Sequence, residues 1–122
     1  MDITPIVSER AQQIQRYGVG VFVITGEEYH GSVIVTQSKT TFWGAAQVSG
    51  CVDEMSIAQL GEHLTDCEIL LVGTGKQMEL LSPPLRQQLK SFGVSVDVMD
   101  TGAACRTYNI LMSEGRKVTA AL

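Results

Sequence analysis

The spacing of apolar residues along this chain changes character near residue 50. Before it, β-branched and aromatic residues come in short bursts broken by polar ones. After it, continuous apolar runs alternate with stretches whose apolar residues recur every three to four positions. The first regime predicts a β meander from about Tyr17 to Trp43, with strands over residues 21–25, 31–35 and 40–43; the stretch GEEYH between the first two takes its turn chemistry from Gly26 and makes a hairpin. Residues 1–16 read as a partly irregular N-terminal extension of the same domain.

The second regime predicts helices and strands in turn. Ser56 is placed to cap a helix in which Ile57, Leu60 and Leu64 share one face. CEILLVG, residues 67–73, is apolar almost throughout, as a strand covered on both faces must be, and Gly73 and Gly75 end it. SPPLRQQLKSFG has Ser82 at a cap, proline in the first turn, Leu85 and Leu89 on one stripe, and Gly93 as a stop. VSVDVM is the next strand. A third helix runs through TGAACRTYNILMSEG, with Asp100 or Thr101 to cap it and Gly115 to end it, and RKVTAAL closes the chain as a strand. The expected fold class is therefore α/β: a single domain over residues 1–122, antiparallel N-terminal strands followed by βαβαβ-type alternation, and helices covering a mixed β-sheet.

This order locates a rim. A helix joining the strands around Ile69 and Val96 makes them parallel, so their carboxyl ends share one edge of the sheet, where open α/β sheets hold ligands. Whether the two strands are direct neighbours is left open. Gly73, Thr74, Gly75 and Lys76 follow the first strand, and Asp100, Thr101 and Gly102 follow the second.

Composition narrows the classes of function. The 122 residues are enough for one core, and a net charge of −4, with no basic run interleaved with aromatics, argues against nucleic acid as a partner. No apolar stretch reaches the length of a membrane span. The first residues have the order of neither a secretory signal nor a transit peptide, and the three cysteines, Cys51, Cys67 and Cys105, cannot all pair within the chain. The expected location is cytoplasmic, with free thiols.

LLVGTG, the proline-initiated helix, GVSVDVMDTGAACRTYN and EGRKVTAAL, with YHGSVIV and Trp43 upstream, resemble a small single-domain family. It includes mitochondrial complex I assembly factor three and the adipogenesis-associated Mth-domain protein. The resemblance runs from about Tyr17 onward, and residues 99–116 are its most specific part. It implies a three-layer α/β fold with a mixed sheet and, from the mitochondrial member, a chaperone-like role in building a respiratory complex through protein partners. Many bacterial members have no assigned activity.

The candidate chemistry lies in the third helix and the turn facing it. Cys105 follows the helix start beside Arg106, where dipole and charge favour a thiolate. It also shares a stripe with Ala104, Tyr108, Leu111 and Met112, and the core reading is preferred because neither His30 nor His63 is placed next to it as a base. Arg106, with Asn109 and Ser113 near it, lies on another stripe. Near a helix N-terminus it opposes the dipole by roughly 0.3–1 kcal/mol and asks for a compensating anion. The alternative is a solvated helix face whose arginine caps neighbouring carbonyls or pairs with Asp100 or Glu114. GTGKQ fails the Walker pattern at Leu70 and Gln77 and the dinucleotide fingerprint at Met78; what survives is either a tight turn or a cradle of amides for a small anion. The Cys and His spacings match no zinc pattern, and no cofactor is expected. The reading favoured is a non-catalytic interaction or assembly module with a small-anion pocket between the GTG turn and the third helix. The competing one is a small enzyme or metabolite sensor using Cys105, Arg106 and Asp100.

Overall fold

A computed structural model describes residues 11–44, 46 and 52–122. In chain order these form β1 (Ile14–Gly18), β2 (Val21–Ile24), β3 (Glu27–His30), β4 (Val33–Val35), β5 (Thr40–Phe42), α1 (Glu54–Gly61), β6 (Ile69–Gly73), α2 (Pro83–Lys90), β7 (Ser95–Met99), α3 (Thr101–Ser113) and β8 (Val118–Ala121). The apolar run of β6 belongs to an interior strand, since its side chains alternate between two cores. Leu71 enters one and Leu70 and Val72 the other. Five strands in the order β5-β4-β8-β6-β7 make the main sheet, with β6 parallel to both β7 and β8, and β8 antiparallel to β4.

The layers follow from that alternation. On one face, Ile57 and Leu60 of α1 and Leu89 of α2 meet Ile34, Leu70, Val72 and Ala121. On the other, Ala104, Cys105, Tyr108 and Met112 of α3 join Ile14, Phe22 and Ile24 of the β1-β2-β3 sheet over Val33, Val35, Leu71 and Ala120. The result is a single α/β domain of three layers. The two crossovers, β6–α2–β7 and β7–α3–β8, run in opposite directions across the sheet, so a common right hand requires their helices on opposite faces, as found.

Four sequence expectations need correction. The N-terminal strands do not form one meander but divide between two sheets: β4 and β5 join the mixed sheet, as expected, whereas β1, β2 and β3 form their own antiparallel sheet. GEEYH is mostly strand: Thr25 and Gly26, at φ of 49° and 84°, form the whole two-residue turn, and Glu27 pairs directly with Ile24. Its charged residues face solvent, so no apolar alternation marks it. β1 begins at Ile14, inside the expected extension, and a register shift between Ile14 and Arg16 hides its period of two. Finally, Asp53 rather than Ser56 caps α1. The Asp53 carboxylate accepts from the Ser56 N–H at 2.8 Å while the Ser56 hydroxyl accepts from the Asp53 N–H at 2.7 Å, a reciprocal capping box. Cys51 and residues 1–10 lie outside the described residues.

Candidate functional site

β6 and β7 are direct parallel neighbours, paired from Ile69↔Ser95 to Gly73↔Met99, so their carboxyl ends coincide. At Gly73 the chain passes too close to the start of α3 for a side chain: a Cβ there would lie 3.0 Å from both Cα and Oγ1 of Thr101 and 3.1 Å from Leu122 Cδ2. The turn is stitched to the helix start. Thr74 N–H donates to Met99 O, Gly75 N–H to Thr101 Oγ1 and Thr101 N–H to Gly75 O, at 3.0, 2.8 and 2.8 Å. Asp100 is the N-cap of α3, its carboxylate accepting from Ala103 N–H at 2.9 Å. The amides of Thr74, Gly75, Thr101 and Ala103 are thus already engaged within the chain.

Above this junction opens a cavity of about 900 Å³. Gly73, Thr74, Gly75, Lys76, Asp100, Thr101, Gly102 and Arg106 line it on one side. The other walls come from segments that carried no such signal in the sequence: Tyr17, Val19 and Phe22 of the β1-β2 hairpin, Trp43, and Leu80, Leu81 and Leu85 before and within α2. Arg106 pairs with neither Asp100 nor Glu114. Its Nη1 donates to the Tyr17 hydroxyl, and the guanidinium carbon sits 6.0 Å from the centre of the Tyr17 ring. Gly102 leaves room for this contact, because a Cβ there would lie 3.1 Å from Tyr17 Cε2 and 3.3 Å from Arg106 Nη1.

Two of the candidate residues lie elsewhere. Cys105 is fully buried in the core beneath α3 and does not line the cavity; burial, only partly offset by the nearby Arg106 charge, pushes its thiol from 9.0 up to about 12. Neither histidine serves it as a base: His30 contacts Glu28 on the exposed β3, and His63 lines a separate cleft with Lys39 and Lys117. Asn109 turns to β1, where its Oδ1 accepts from Ile14 N–H at 2.9 Å and its Nδ2 donates to Ile14 O at 2.7 Å. It imitates a strand partner for Ile14 beside the register shift.

Residues 14–122 match the family described as "Protein of unknown function (DUF498/DUF598)". The chain belongs to that family. The match to DUF498/DUF598 begins at the first residue of β1 and takes in every element described above. One relative, NADH dehydrogenase (ubiquinone) 1 alpha subcomplex assembly factor 3 of Xenopus tropicalis, is 34% identical over 112 residues, covering 89% of this chain and 59% of that protein. The chain therefore spans about three fifths of the length of that relative. Among solved structures, a Bordetella parapertussis protein superposes with a TM-score of 0.80 at 33% identity, covering 94% of this chain and 97% of that one. A Bordetella pertussis Mth938-like domain gives 0.74 at 28% identity, covering 100% and 91%. The likeness to complex I assembly factor three and to the Mth-type fold, read from residues 17–122 of the sequence, holds.

Proposed function

We propose that this DUF498/DUF598 protein is a non-catalytic interaction module of assembly-factor type, acting in the cytoplasm, whose rim cavity receives an anionic group. The names of its relatives support the assembly role. The observation that carries the reading over an enzymatic one is the state of Cys105: fully buried, its thiol pushed up to about 12, and turned away from the cavity that holds Arg106. An enzyme built on Cys105, Arg106 and Asp100 needs the three to converge, and Asp100 is occupied in capping α3. With the amides of Thr74 and Gly75 engaged, the cations at the cavity among the described residues are Arg106 and Lys76. Around them Leu80 is 79% exposed and Val19 84%, an apolar lip of the kind a protein partner covers.

The test is affinity purification of the tagged protein from its native cell after chemical cross-linking. A defined protein partner in stoichiometric amount, lost with Leu80→Asp while the purified variant keeps its melting temperature, is the expected result. Rapid alkylation of native Cys105 by iodoacetamide at neutral pH, with no partner captured, would overturn the reading in favour of a thiol enzyme.

A further inference from the structure

We infer that the rim cavity binds a monocarboxylate with an apolar body, the carboxylate on Arg106 and the body against the wall that includes Phe22, Trp43, Leu81 and Leu85. This rests on the cavity being an anion site and goes further by naming the class of anion.

The argument begins with an arginine that is held but not neutralised. Tyr17 accepts one N–H of Arg106 and places its ring near the guanidinium, yet a neutral phenol supplies no counter-charge. Among the described residues no carboxylate stands within ion-pair distance of Arg106, and the nearby Asp100 carboxylate accepts from Ala103 N–H. The rest of the five donors of the planar fork remain for a ligand, in a geometry that suits a carboxylate in two-point contact.

The surroundings separate a carboxylate from a phosphate. Phosphate sites in loops and at helix starts are built from several convergent backbone amides. Here the amides of Thr74, Gly75, Thr101 and Ala103 donate within the chain. Glu79 also lines the cavity and offsets the charge of Lys76, so Arg106 is left to meet a single negative charge.

The remaining walls call for carbon. Trp43 is 1% exposed and its indole N–H donates to Ser56 O at 2.8 Å, so the ring borders the cavity without a free donor. Phe22 and Leu81 are buried beside it. A volume of about 900 Å³ lies within the range of small-molecule pockets, and a bare anion would leave most of it to water.

The experiment is a set of titrations followed by backbone amide and Trp43 indole NMR shifts, with octanoate, acetate, inorganic phosphate and octanol as probes. Octanoate should shift residues 73–76 and 101–106 together with the Trp43 indole, and bind at least tenfold more tightly than acetate or phosphate. Lengthening the chain should tighten binding by up to about fourfold per methylene. Arg106→Gln should weaken octanoate at least tenfold and leave octanol unchanged. Arg106→Lys, which keeps the charge but not the fork, should fall between. An unchanged melting temperature for both variants shows that the fold is intact. Phosphate binding at these residues as tightly as octanoate would overturn the apolar-bodied class while leaving an anion site standing. No probe binding at the rim would overturn both. Octanol binding as well as octanoate, or Arg106→Gln leaving octanoate unaffected, would overturn the role of Arg106.

Discussion

The two sides of α3 are built from the same 13 residues and do different work. Ala104, Cys105, Tyr108 and Met112 form a continuous buried stripe. Arg106 and Asn109 do not simply face water. Each reaches a residue of β1 about 90 positions earlier in the chain, Tyr17 for the first and Ile14 for the second. The contrast separates two kinds of side-chain duty. On the buried stripe, apolar character and volume suffice to define the role. On the other side, the same helix positions a hydrogen-bond clamp and an unneutralised cation, and which of these a polar residue becomes depends on the strand brought alongside.

Removing the largest side chain of the stripe should have the largest effect. Tyr108→Ala is expected to cost about 3–5 kcal/mol in urea unfolding, by loss of packing and the cavity left behind. Tyr108→Phe separates the ring from its hydroxyl, which donates to Gln12 O at 2.8 Å and Thr36 O at 3.2 Å, and should cost only about 1–2 kcal/mol. Equal costs for the two variants would mean that the hydroxyl, by tying residues 12 and 36 to α3, outweighs the packing of the ring.

Next is the clamp. Asn109→Ala removes both bonds to Ile14 and leaves its N–H and C=O unpaired against the helix, for an expected loss of about 1–3 kcal/mol. Amide hydrogen exchange should locate the damage in β1, with β6 and β8 protected as before. Uniform loss of protection would show that the small sheet and the large one unfold as one unit.

The stripe also carries a pH signature. Because the native Cys105 thiol lies at about 12 against 9.0 for the free group, the unfolded chain loses this proton first as pH rises. The contribution is fully present below pH 9 and is lost between pH 9 and about 12, at up to about 1.4 kcal/mol per pH unit. The buried Tyr108 hydroxyl, also raised by burial, acts in the same direction. Cys105→Ala should lower stability at neutral pH and flatten its decline through this window. An unchanged slope in the variant would assign alkaline unfolding to other groups.

The smallest effect belongs to the rim. Gly102→Ala adds a methyl against the ends of Tyr17 and Arg106, which can move, and gains up to about 1 kcal/mol of helix propensity. The net change in stability should stay within about 1 kcal/mol, while the ring resonances of Tyr17 shift as the contact with Arg106 is displaced. Unmoved Tyr17 resonances would mean that the backbone, rather than the side chains, gives way.

The α/β half was legible for a physical reason. An apolar run closed by glycine, as at residues 67–73, or a stripe opened by a capping residue, as at Asp100, is specified locally, and burial on both faces demands the pattern. The buried stripe of α3 was legible for the same reason. β3 was not, because a strand with charged residues turned to solvent needs no apolar alternation and borrows its partner from β2. β1 was obscured by its register shift, and the cap of α1 by two side chains able to play the part.

Short-range periodicity and chain connectivity specify the order of the second-half elements, the edge of the sheet on which the GTG turn and the start of α3 lie, and the burial of Cys105. What faces that edge is set by packing between distant parts of the chain. Tyr17 and Phe22 of one hairpin, Trp43 and Leu81 reach one cavity from three separate segments, and no local pattern records the distance between them. The engagement of the GTG amides by Thr101 and Met99 and the turn of Asn109 toward Ile14 were likewise settled by which polar partner the packed chain placed nearest. In a close-packed interior, a donor takes the acceptor that the fold supplies.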